Sequence, residues 1–465
     1  MGNEISHDPL RVLGCAAARL RLETLPAEVL QRAKQRVLDT IGCLIAGYEG
    51  GIAAAIRSYV LAQGGNPEAT LLPGGEKTTA ALAGLAHSTY IYGLELSDAA
   101  PRGTVHPGCE IVSIALAVAE QRGLGGAAIL PALVAGYEVE IRFGRALHPY
   151  AFYRGWSTTG MLGAIGPAVT AGHILGLDAE GLDNAIGIVL NLAPCATGRA
   201  NQPGSVKWLI GGQACTTGLL AAEMSARGTK GMRDVGAWLN VISDQNHPER
   251  LTEGIDSDGV FTSWELLSGV VTKYYATVGP LASALEAMFG LIREYDIRAD
   301  DVDEIHAECM RRTAIFNKPH PENEVDARGS LPYCLAVAVC TRDPGRLLGP
   351  AYRPEALRDK AVWAMAEKVR ITENEDYERQ YPARSLARIS IRLHSGVTRS
   401  LEIDRSELGR YLAPTDADIE DKFRLVATPV LGQAKTDKVV DLVQRIETLP
   451  DLDELMKALQ PGGNG

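Results

Sequence analysis

The chain has 465 residues, 46% hydrophobic and 22% charged, with a formal net charge of -11. That composition supplies enough apolar material for a large core and excludes intrinsic disorder. The acidic balance excludes nucleic acid as a partner, because phosphate binding needs a basic face, and it confines any anion site to a local cluster of Lys and Arg.

Length alone suggests two or three domains, at roughly 150 residues each. The start, MGNEISHDPL, has no charged-then-apolar signal pattern, and its match to the M-G-x-x-x-S acylation form has no polybasic stretch behind it. The longest apolar run, Gly160 to Gly172, is too short to cross a bilayer. A cytoplasmic protein without a membrane partner is expected. Eight Cys are scattered without CxxC or CxxH spacing, which reads as buried small hydrophobes rather than a disulfide framework or a zinc site.

The first 265 residues read as helical. After Pro26, apolar positions fall at Val29, Leu30, Ala33, Val37, Leu38, Ile41, Leu44 and Ile45, ahead of Gly47. This is helical spacing with Pro at the first turn and Gly at the end. Ala-rich stretches follow at 78–93, 109–122, 128–147, 160–175, 180–192 and 211–227. Their small residues let helices approach closely. The pattern changes after residue 265. "VDEIHAECM" (302–310) and "LARISIRLHSGVTRSLEI" (386–403) alternate with period 2, the second turning at Ser395-Gly396, so strands and a hairpin are predicted. A helix is predicted over Ser330 to Val339 and more helices over 412–460. The fold class is therefore mainly α: a large helical domain (1–266 with 406–465) and a smaller α+β lid domain (267–405).

The chain contains no GxGxxG, GxxxxGK[ST], HExxH or GxSxG, and no His pair at i, i+4, so no cofactor or metal is expected. Polar residues in apolar or Gly-rich surroundings remain. "ELSDAAPRGTVHPGCE" (95–110) gathers Glu95, Asp98, Arg102 and His106. It reads either as a solvated loop or as a carboxylate orienting an imidazole for acid–base work. Lys207, in "QPGSVKWLIGGQA", is either a snorkelling Lys at a helix end or a point charge for a carboxylate. Lys273, in "VVTKYYATVGPL", stands with Tyr274 and Tyr275 where the two sequence styles meet, and such junctions favour small-molecule clefts. Ser157, Thr158 and Thr159 read as helix N-caps, or as a helix end that holds a substrate carboxylate.

Taken in order, "RAKQRVLDTIGCLIAGY", "GLAHSTYIYGLELSD", "TVHPG", "LVAGYEVEIRFGRAL", "VKWLIGGQACTTGLLAA", "VTKYY" and "ARGSLPYCLAVAV" resemble the MmgE/PrpD family of 2-methylcitrate dehydratases, which also contains cis-aconitate decarboxylase and iminodisuccinate epimerase. The resemblance implies a helical domain with an α+β lid, a homodimer, and cofactor-free chemistry beside a carboxylate of a small di- or tricarboxylic acid. It places Asp98, His106, Lys207, Lys273 and Tyr275 in catalytic roles; beside it, the residue reading makes Glu95, Arg102, Ser157 and Thr158 the expected substrate contacts. Two imidazoles usual in the family are replaced, at Ser157 and, by spacing, at Ala282. The expected activity is a dehydratase-type lyase, with epimerase, decarboxylase and a non-catalytic metabolite binder as alternatives. His106, oriented by Asp98, would be the acid or base, and Tyr275 or Lys273 the proton carrier on the other face.

Overall fold

The computed structural model describes residues 8–193 and 204–461. The reading of the first seven residues lies outside the described part. The helical region follows the predicted order, with boundaries shifted by a few residues. Pro26 is the N-cap of a helix over Ala27–Gly47, which is buried through most of its length. The helices Ala80–Leu94, Pro107–Arg122, Gly126–Leu147 and Val206–Ala226 pack around one another in a continuous apolar core. Their glycines sit at close crossings: a Cβ on Gly212 would meet the Leu85 carbonyl at 2.4 Å. The predicted helix at 160–175 divides into Thr158–Leu162 and Ile165–Ile174. A short hairpin, β1 (Ala69–Leu71) with β2 (Glu76–Thr78), interrupts the helical region. Its three-residue strands are too short for a period-2 signal.

The α+β part is a four-stranded sheet in the order β4-β3-β5-β6, where β3 is Val302–Cys309, β4 Val369–Glu373, β5 Leu386–Leu393 and β6 Thr398–Asp404. β5 and β6 form the predicted hairpin; β4 is an additional edge strand, parallel to β3. The helix Ala282–Tyr295 packs against β5 and β6, and Leu331–Thr341 packs against it in turn. The helix Asp416–Leu431, beyond the sheet, returns to lie along Ala27–Gly47. Among the described residues, no single helix is long and apolar enough to cross a membrane.

Candidate active site

The site begins at the end of a helix. Glu95 caps Ala80–Leu94 in the left-handed conformation, φ 59°. That position usually falls to Gly, since a side chain there is strained. Here the side chain is used: the buried Glu95 carboxylate accepts from Lys207 Nζ on one oxygen and lies 3.7 Å from Lys273 Nζ on the other. Burial opposes the charge, but Lys207, Lys273 and His106 outweigh it and hold Glu95 at about 2. Lys207 comes from the first turn of Val206–Ala226. Its ammonium also lies 5.9 Å from the centre of the Tyr92 ring. Lys273 is 3% exposed, and its Nζ has no hydrogen-bond partner among the described residues. Burial lowers it to about 8; Glu95 opposes the shift, while Lys207 and Lys422 add to it.

His106 completes the group as the N-cap residue of Pro107–Arg122. Its ring lies 5.7 Å from the Tyr92 ring, and its Nδ1 donates to the backbone carbonyl of Asp98 at 3.0 Å. A carbonyl only accepts, so Nδ1 carries the proton and Nε2 keeps its lone pair in the neutral ring. Burial, then the charge of Lys273, lowers His106 to about 4.

The loop is pinned from below. Ala99 and Val271 exchange backbone hydrogen bonds at 3.1 and 2.7 Å, tying the loop to the segment that carries Lys273. Arg36 donates to Thr272 at 2.9 Å, and Lys422 bridges Asp39 and the Leu96 carbonyl.

Glu95, His106, Lys207 and Lys273 therefore share one place. The other expected residues stand differently. The Asp98 carboxylate does not face His106; it accepts from Tyr137 Oη at 2.7 Å and from the Gly108 amide at 2.9 Å, and burial raises its pKa. Asp98 orients the imidazole through its main chain. The Tyr275 hydroxyl donates to Glu286 at 3.2 Å and its ring stacks on Phe289, within a cluster that includes Tyr411 and Arg410. No described contact joins Tyr275 to Glu95, His106 or either lysine. Arg102 is exposed and lines a separate pocket. Ser157 Oγ caps the Gly160 amide at 3.4 Å, and Thr158 donates to the Thr104 carbonyl. Ala282 is buried at the start of Ala282–Tyr295. Tyr92, missed from sequence, touches His106 and Lys207 and donates to Thr159 at 3.3 Å; its place one turn before Glu95 was the available signal. Among the described residues, no three His, Cys, Asp or Glu side chains are grouped to hold a metal ion.

A helical body with an α+β part carries a buried carboxylate clasped by two lysines beside a neutral imidazole. Residues 12–250 match the MmgE/PrpD N-terminal domain and residues 275–447 the MmgE/PrpD C-terminal domain. The chain belongs to the MmgE/PrpD family. It is 26% identical to a cis-aconitate decarboxylase of Aspergillus terreus over 472 residues, covering 95% of this chain and 94% of that one. It is 25% identical to the cis-aconitate decarboxylase-like protein oryM of Aspergillus oryzae, covering 94% of both chains. Identity to the cis-aconitate decarboxylase of Homo sapiens is 23%, over 95% of this chain and 92% of that one.

Proposed function

We propose that this chain is a lyase that acts on a small di- or tricarboxylate through proton transfer at a carbon next to a carboxylate, using side chains alone. The observation that carries this reading is the Lys273 ammonium, which is buried, has no hydrogen-bond partner among the described residues and shares Glu95 with Lys207. Two ammoniums face one carboxylate, so a substrate carboxylate supplies the missing charge and acceptors. The same cations stabilise an enolate-like anion as it develops, where fixed charges contribute most. At neutral pH, Lys273 near 8 is a charged acid that gives up its proton readily, and His106 near 4 is a free base.

Among lyase reactions, the names of the relatives favour decarboxylation over dehydration. On an unsaturated tricarboxylate of the cis-aconitate type, the bond to the departing carboxyl carbon breaks and its electron pair forms a new alkene. The old alkene pair takes one proton at its far carbon, and carbon dioxide leaves. Lys273 delivers that proton. Dehydration of a 2-methylcitrate-type substrate would use the same pair differently, with His106 taking the C–H proton and Lys273 protonating the leaving hydroxyl.

Proton NMR in D2O with cis-aconitate and 2-methylcitrate separates these outcomes. Decarboxylation predicts new vinyl signals with release of carbon dioxide, lost in Lys273→Met. Vinyl signals without carbon dioxide would mean dehydration, and C–H exchange without net conversion would mean an epimerase. No change with any small polycarboxylate would overturn the lyase reading.

A further inference from the structure

A cavity of about 500 Å³ opens between the helical region and the sheet region, and none of Glu95, His106, Lys207 or Lys273 lines it. Arg102, Arg145, Arg250, His148 and Glu253 enter it from one side, and Glu378 and Tyr381 from the other. Arg145 is already paired with Glu253 and Glu265. Arg250 donates to the Arg145 carbonyl at 3.0 Å and has no carboxylate within 4.0 Å among the described residues, nor has Arg102.

Behind the wall stands Arg312, 7% exposed. Its guanidinium carbon lies 3.8 Å from the centre of the Tyr381 ring and 5.5 Å from that of Phe152, and its backbone N–H donates to Glu378 at 3.4 Å. Among the described residues, no carboxylate lies within 4.0 Å of this guanidinium, and its Nε has no hydrogen-bond partner. A buried charge without a counterion is costly, and aromatic faces recover only part of that cost. His148 adds no charge at neutral pH, since burial and the neighbouring Arg312 and Arg250 lower it to about 4.

We propose that this pocket is a second anion site, distinct from the catalytic group, in which Arg102 and Arg250 hold a small polyvalent anion bearing carboxylates or phosphates, while Arg312 adds its charge from behind Tyr381. Guanidiniums suit both chemistries, because their planar donors match either group in a bidentate way. The ligand lies between the two parts of the molecule, because Arg102 and Arg250 come from the helical region and Tyr381, with Arg312 behind it, from the sheet region.

The test is calorimetric titration of the full chain with tricarballylate and, separately, pyrophosphate. The chains compared are wild type, Lys273→Met, Arg312→Met and Arg250→Gln. The site predicts that at least one of these anions binds the Lys273→Met chain, and that Arg312→Met and Arg250→Gln each weaken this binding at least tenfold. Which anion binds sets the chemical class. Thermal melting adds a readout that a packing role would not produce. Met keeps the contact with Tyr381 and removes the unpaired charge, so Arg312→Met should melt higher than wild type in anion-free buffer and lose the anion-induced rise. Anion binding that vanishes in Lys273→Met, or is unchanged in both arginine variants, would overturn the proposal. So would an Arg312→Met chain that melts lower and still responds to the anion.

Discussion

Glu95 sets the state of its neighbours, and its removal has a definite sign. It is the group that raises Lys273 against burial and the like charges of Lys207 and Lys422. In Glu95→Gln, Lys273 should therefore titrate below about 8. If Lys273 acts as the acid, wild-type kcat/KM should fall above about pH 8 as Lys273 loses its proton, and a further fall below about pH 4, as His106 gains one, is expected only where His106 is the base, as in dehydration. In Glu95→Gln the alkaline limb should move to lower pH. A limb that stays in place would separate Glu95 from the acid. The variant should also lose about 3–5 kcal/mol of stability, because two ammoniums are left without their carboxylate; chemical denaturation measures this loss.

The elements around the site are held by a close approach at Gly108. A Cβ there would meet Asp98 Oδ1 at 2.6 Å, Thr40 Oγ1 at 2.8 Å and Tyr137 Oη at 2.9 Å. Gly108→Ala should cost about 1–3 kcal/mol, as overpacking in a filled core does. It should also move His106, two residues earlier, so that kcat falls even where the chain stays folded. Melting curves and steady-state kinetics on the same preparation check both effects. This element also shows where sequence reading stops. The spacing of 95–110 reveals that acids and an imidazole gather. It cannot reveal that the Asp98 carboxylate turns to Tyr137, 39 residues on, and leaves only its carbonyl for His106. The resemblance implies a catalytic Tyr275, but its hydroxyl goes to Glu286, on a helix that sequence leaves unoriented. β4 escaped because only Val369 is buried along it, so it carries no alternating signal. Helices with long apolar stripes, and the β5–β6 hairpin with its Ser-Gly turn, were legible because their signals are local.

At the scale of the molecule, the helical core carries an acid pair apart from the site. Glu110 and Glu140, on neighbouring helices, are fully buried. Burial, then Glu140, raises Glu110 well above its usual value; burial, then Asp98, does the same to Glu140. A raised carboxyl binds its proton in the folded state and gives it up on unfolding, so stability falls as pH rises above the unfolded value of about 4.5. Glu140→Gln should therefore melt higher than wild type at pH 8, with the gap closing toward pH 5. An equal gap at both pH values would show that the pair does not titrate with folding.

The central claim is that Lys273, with Glu95 and Lys207, moves the proton. The most direct measurement is kcat/KM on the substrate that the NMR screen identifies, for wild type, Lys273→Met and Tyr275→Phe. The expected result is a loss of about 10³-fold in Lys273→Met, the size of a general acid's contribution, against a change within about threefold in Tyr275→Phe. A Lys273→Met enzyme with near-wild-type activity, or a Tyr275→Phe enzyme that loses as much as Lys273→Met, would contradict the account.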